Sequence, residues 1–167
     1  MKSLFATLFL LLPLLATAQI EWISWEEAIK RNETEPRKLL VDMYTDWCGW
    51  CKKMDKTTFA DARVAAYVSE NFYAVKFDAE QKEAIKYDGN TFSFDASAGR
   101  RGSHQLAMAL LDGRMSYPSI VYLNETGERI SISPGFKAAD SYINELRFIG
   151  GEHYLKQTYQ EFLASKK

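Results

Sequence analysis

Cys48 and Cys51 are the only cysteines in the 167-residue chain, and they lie close together in the stretch DMYTDWCGWCKKM. A bond between them closes a loop far too short to staple a domain, since even a 15-residue loop restrains the unfolded chain by only about 3 kcal/mol. Structural zinc usually takes four ligands, and the other soft candidates, His104 and His153, do not stand at finger or ribbon spacing. No metal and no organic cofactor is therefore expected. The pair reads as a redox-active dithiol whose thiolate is the nucleophile, with an inert short-range bridge as the alternative. That chemistry favours a cysteine in the first turn of a helix, where unpaired N–H groups and the positive dipole end stabilise a thiolate.

The flanking sequence supplies such a place. KLLVDMYT is a continuous apolar run, the pattern of a strand buried on both faces of a sheet, and Cys48 stands where GWCKKMDKTTF turns helical. Upstream, SWEEAIKRNE opens with the capping-box pair Ser24 and Glu27. Downstream, DARVAAYVSENF reads as a helix leading into the strand FYAVKFD, a strand–helix–strand unit with a parallel return. IKYDGNTFSFD reads as a hairpin around Asp88, Gly89 and Asn90, and SHQLAMALLDG as a helix. His104 and His153 read as surface or helix-end residues, and Arg100 and Arg101 as a solvated turn, with a basic turn near the site that tunes the thiol as the alternative. Asp42 is the odd member of its apolar run, because a buried charge is costly unless something pairs with it or uses it.

Composition bounds the rest. Formal net charge is −1, from 21 basic against 22 acidic residues, so no basic face for nucleic acid is implied. The start, MKSLFATLFLLLPLLATAQ, has a basic Lys2, an apolar run shorter than the roughly 20 residues that span a bilayer, and an A-x-A pattern ending at Ala18. Residues 1–18 are expected to be a cleaved secretory signal, and residues 19–167 one exported domain with no stable membrane insertion. An uncleaved anchor is the alternative.

Residues 40–52, LVDMYTDWCGWCK, resemble the active-site strand and helix of thioredoxin-like proteins. SYPSIVYLNETGERI is similar to the strand that this family leads in through a cis-proline, here Pro118, and SPGF with its following helix resembles the family's end. The run CKKMDKTTFADARVAAYVSENF is similar to exported members, including the C-terminal domain of the membrane thiol-disulfide transporter. The resemblance implies an α/β thioredoxin fold, a central mixed sheet with helices on both faces and a hairpin inserted before the cis-proline strand, with residues 81–113 exceeding the minimal fold. It implies Cys48 as an exposed attacking nucleophile and Cys51 as the more shielded resolving thiol. Asp42 would accept the proton of the inner cysteine, beside Lys76 on the neighbouring strand; a purely structural Asp42–Lys76 pair is the alternative. Trp47, Trp50, Tyr117 and Pro118 would receive substrate, with Tyr44 on the same rim. The implied partners are disulfide-containing exported proteins and a membrane electron donor, in the periplasm. A tryptophan at position 50, where thioredoxin has proline, and no histidine between the cysteines suggest a reductase or isomerase. A peptide-binding or chaperone-like module with an incidental disulfide is the competing reading.

Overall fold

The structure, a computed structural model, describes residues 19–166; the expected signal segment, residues 1–18, lies outside the described residues. KLLVDMY forms β2 (Lys38–Tyr44), the middle strand of five, and six of its seven residues are buried. Its neighbours are β3 (Phe72–Asp78), parallel, and β8 (Ser119–Leu123), antiparallel. β1 (Trp22–Ile23) extends the parallel side along β3, and β9 (Arg129–Pro134) closes the antiparallel side, giving the order β1-β3-β2-β8-β9. β1 is too short to carry a periodic signal.

Each face of this sheet carries its own core. On one, Val41, Met43, Val75 and Val121 pack with Trp25 and Ala28 of α1 (Trp25–Thr34) and with Leu106 and Ala107 of α4 (Gln105–Leu110). On the other, Leu40, Ile120 and Tyr122 pack with Met54 of α2 (Gly49–Thr57), Val64 and Val68 of α3 (Ala62–Asn71), and Tyr142, Ile143, Leu146 and Ile149 of α5 (Ala139–Gly150). The α5 set recurs at helical spacing, which is why that helix buries one stripe. Ser24 caps α1 as its sequence suggests, accepting from the Glu27 N–H at 3.1 Å. The Glu27 side chain does not close the box; it accepts from Arg31 Nε at 2.7 Å, one helical turn on.

Residues 81–113 fold as two separate ribbons followed by α4. β4 (Ile85–Tyr87) and β5 (Asn90–Phe92) form the anticipated hairpin, with Asp88 and Gly89 both at positive φ as a type I′ turn requires. It lies against α1, where Tyr87 meets Trp25 edge-on at 4.9 Å. The hairpin ends at Phe92; Phe94 and Asp95, read from the sequence as part of its return strand, instead form β6 (Phe94–Asp95) of a second ribbon with β7 (Ser103–His104). This ribbon is bound to the sheet through His104, whose N–H donates to the Ala79 carbonyl at 2.7 Å. His104 is fully buried rather than on the surface: Nδ1 accepts from Leu106 N–H at 3.2 Å as the cap of α4, leaving Nε2–H to donate to the Glu83 carbonyl at 3.0 Å. Burial lowers its pKa, which keeps that neutral tautomer. Beyond the helix expected to end the fold, a 3₁₀ turn (His153–Leu155) and α6 (Tyr159–Ala164) continue the chain.

The turn of the second ribbon depends on Gly102, at φ +77°, where an added Cβ would lie 2.9 Å from the Asp95 carbonyl oxygen and inside the Phe94 ring. Gly102→Ala should therefore destabilise the protein by about 1–3 kcal/mol through backbone strain and this backbone contact. Gly49, at ordinary φ with nothing within 4 Å of a built Cβ, is the control. Urea unfolding of Gly102→Ala and Gly49→Ala should show a loss in the first alone.

Candidate active site

The end of β2 delivers the cysteines. After Tyr44 the chain turns, Cys48 N–H donates to the Thr45 carbonyl at 3.1 Å, and α2 begins at Gly49. Cys48 is the N-cap residue, and its Sγ accepts from Cys51 N–H at 3.1 Å. The two form a disulfide, with Cα atoms 5.3 Å apart. Cys48 is not exposed in this oxidised state: it is 4% accessible against 2% for Cys51. As a cap its sulfur folds back over the first turn, and the large exposed surface belongs to its neighbours, Trp47 and Trp50.

Beneath the helix lies a charged cluster. Strand alternation places Asp42 on the Leu40 face of the sheet, the side that α2 covers, and pairs it in register with Lys76 on β3. Lys76 Nζ donates to Asp42 Oδ2 at 2.6 Å and also to Asp55 Oδ1 on α2. Asp42 Oδ1 is buried and has no hydrogen-bond partner among the described residues. Burial raises the Asp42 carboxyl to about 6, against the opposing pull of Lys76. For Lys76, desolvation acts to lower the pKa, but Asp42 and Asp55 outweigh it and the ammonium is raised. The rings of Trp22 and Tyr44 each stand 5.0 Å from Nζ, and Phe59 5.5 Å. Tyr44 thus frames Lys76 instead of joining the rim, because it lies two residues from Asp42 and shares its face.

The rim splits into two sides. Trp50 packs against Phe136 at 5.3 Å, and Lys53 Nζ sits 4.7 Å from the Trp50 ring. Trp47 meets Tyr117 edge-on at 6.0 Å, donates from Nε1 to Glu80 Oε1 at 2.9 Å, and carries the Arg101 guanidinium 5.6 Å from its ring. The Tyr117–Pro118 peptide is cis, Pro118 is buried, and the Tyr117 main chain takes no hydrogen bond among the described residues. Of the nine residues read from the sequence as site candidates, Cys48, Cys51, Trp47 and Trp50 stand at the start of α2, Tyr117 and Pro118 join them through the Trp47–Tyr117 contact, and Asp42, Lys76 and Tyr44 form the cluster on the sheet beneath that helix. Sequence reasoning missed Asp55, Glu80 and Phe136; Arg100 and Arg101 lie in an exposed turn, as read, with Arg101 also near the Trp47 ring. Only Asp55 had a legible signal: four residues after Cys51 on one helix, it shares that cysteine's face.

A carboxyl held above its ordinary range has a signature in stability. With a folded pKa of about 6 against 3.8 for the ordinary group, Asp42 favours the fold below pH 4 and loses that contribution as pH rises through 6. Asp42→Asn should be more stable than wild type at pH 7, by up to about 2–3 kcal/mol, with the advantage shrinking toward pH 4. Urea unfolding of both proteins at the two pH values measures it; a constant difference would mean that Asp42 does not titrate in this range.

Residues 6–148 match the Thioredox_DsbH family, described as "Protein of unknown function, DUF255". Disulfide bond reductase DsbH of Chlamydia pneumoniae is 22% identical over 138 residues, 80% of this chain and 74% of its own. Thiol:disulfide interchange protein DsbD of Ralstonia nicotianae is 40% identical over 45 residues, 27% of this chain but only 7% of that much longer protein. The solution structure of a disulphide-isomerase candidate from Bacteroides thetaiotaomicron superposes with a TM-score of 0.56 at 28% identity, covering 82% of this chain and 97% of that one. With its mixed five-stranded sheet, helices on both faces and a disulfide at the first turn of α2, the chain belongs to the Thioredox_DsbH family of thioredoxin-fold thiol-disulfide oxidoreductases.

Proposed function

We propose that the protein is an exported disulfide reductase or isomerase acting on protein substrates in the periplasm, with residues 1–18 as its cleaved signal and residues 19–167 as the working domain. The observation that carries this reading is the Cys48–Cys51 disulfide at the start of α2, the helix that covers the sheet face bearing Asp42, a buried carboxyl with one unpartnered oxygen. In the reduced protein the Cys48 thiolate attacks one sulfur of a substrate disulfide. A mixed disulfide forms, and the other substrate sulfur leaves as a thiolate that takes a proton from water. Cys51 then gives its proton to Asp42 Oδ1 and attacks Cys48 Sγ, releasing the second substrate thiolate and closing the Cys48–Cys51 bond. Two electrons have passed to the substrate.

Lys76 is the partner that tunes Asp42, and Asp55 extends the cluster toward solvent. A carboxyl at about 6 sits near the working pH, where a group can both accept and release a proton. Trp47, Trp50, Tyr117 and Pro118 form the receiving surface, and the free Tyr117 main chain offers one donor and one acceptor to an extended peptide. A membrane electron donor would return the pair to the dithiol state; the matches to the DsbH and DsbD proteins favour this arrangement. No helix among the described residues is long and apolar enough to cross a membrane.

Trp50 between the cysteines offers no charge to stabilise the Cys48 thiolate, so the potential should lie toward the reducing end of the span from about −270 to −120 mV. Equilibration with a glutathione redox series measures it, and a value near −120 mV would make the protein an oxidase. Alkylation of the reduced protein should modify Cys48 first, at a pH below the roughly 8.5 of a free thiol. Cys51→Ser should trap substrates on Cys48, whereas a disulfide that stays closed under strong reductant would favour a peptide-binding module.

A further inference from the structure

We propose that the inserted turn at residues 98–103 forms, with Trp47 and Tyr117, a charge-selecting subsite that takes an acidic stretch of substrate polypeptide next to the reacting cysteine. This rests on the oxidoreductase reading for its position but not for its chemistry. The groove has a volume of about 520 Å³, within the range of a ligand site. Its inner wall is Trp47 and Tyr117, the residues immediately before Cys48 and Pro118, so whatever lies in it continues directly onto the disulfide. Met108 and Met115 line it as well, an apolar and adaptable surface for a neighbouring side chain.

The outer wall supplies the sign. Arg100 and Arg101 both line the groove, and neither makes an ion pair among the described residues. The one carboxylate that lines it, Glu80, accepts the Trp47 indole N–H. Two unpaired guanidiniums against one engaged carboxylate leave the groove cationic, and the stacking of Arg101 over Trp47 holds one of them at the inner wall. The turn has a fixed frame to present them. Asp95 Oδ1 accepts from both Ser97 N–H and Ser97 Oγ–H, and Gly102 packs against Phe94. An acidic side chain within a few residues of the substrate cysteine matches this arrangement; a lysine there meets like charge.

The test uses the oxidised protein and two short peptides that carry serine in place of the cysteine, one flanked by Leu and Asp and the other by Leu and Lys. Binding is followed by tryptophan fluorescence at low salt. The acidic peptide should bind about fivefold to tenfold more tightly, with the difference fading as salt is raised. The double variant Arg100→Glu/Arg101→Glu should invert the order, an outcome that simple damage to the turn would not produce. Equal binding of the two peptides, binding of neither, or a preference that survives in the double variant would overturn the subsite. So would Arg-dependent binding of glutathione disulfide alone, which would make the groove a site for a small disulfide. Exchange with the matching cystine-containing peptides is scored separately: charge-selective binding without exchange would sink the oxidoreductase reading and leave the subsite, and exchange without selectivity would do the reverse.

Discussion

Strand β2 is hydrogen-bonded along both edges and covered on both faces, and the position of every reactive atom follows from that confinement. Its first residue is tied down as firmly as its middle. Lys38, buried in spite of its charge, donates to Glu125 in the β8–β9 turn at 2.6 Å and to Glu152 beyond α5 at 2.8 Å. An ammonium buried with two carboxylates is tolerated only while both bonds hold, so the pairing fixes register as well as position. At the other end, buried Thr45 receives the Cys48 N–H and the sulfur inherits the rigidity of the sheet. A thiol that must meet an incoming disulfide in line gains from such an anchor, because small misplacements of reacting groups are costly in rate.

The same confinement creates the electrostatic problem that the site turns to use. Asp42 sits where no charge belongs, and one lysine shared between two carboxylates cannot fully neutralise it. The cluster of Asp42, Lys76 and Asp55 places one cation between two carboxyl groups beneath α2, with Asp55 in the last turn of that helix. Lys76, itself partly exposed, is ringed by Trp22, Tyr44 and Phe59, which interact favourably with its charge. Partial compensation is what leaves the Asp42 carboxyl raised: a fully paired carboxylate would be held low and would accept a proton poorly.

How much of this could be read from the chain depended on whether a residue's partners were near in sequence. The seven-residue apolar run of β2, the cysteine pair and the Asp88-Gly89 turn are local signals, and each element stands where its pattern puts it. Asp42 was legible as an anomaly, since a charge inside an apolar strand demands an account, whereas Lys76 came only from the family resemblance. The pairing of β6 with β7 was not legible, because two-residue strands carry no periodicity and these are held by a long-range bond from His104 to Ala79. His104 read as a surface or helix-end residue; it does stand at a helix end, but its burial was not legible, because its partners, the Glu83 carbonyl and the Leu106 N–H, are main-chain groups without sequence identity. Arg101 depended on Trp47, more than fifty positions away, and no local pattern announces a contact of that range.

The two faces of the sheet divide the labour on the readings proposed here. The proton-handling cluster lies on the α2, α3 and α5 face, while the inserted ribbons are rooted on the α1 and α4 face through Ile85, Leu106 and the His104 cap. They meet at the sheet's end, where Trp47 and Tyr117, the residues before Cys48 and Pro118, line the groove. A change in the turn at residues 98–103 therefore alters what the protein recognises without touching Asp42 or Lys76. The reverse also holds, since Asp42, Lys76 and Asp55 make no contact with that turn in their hydrogen bonds or ion pairs. On these readings redox chemistry and recognition would be coupled through Trp47 and Tyr117, which meet edge-on and stand immediately before Cys48 and Pro118, with Glu80 and Arg101 holding the Trp47 ring.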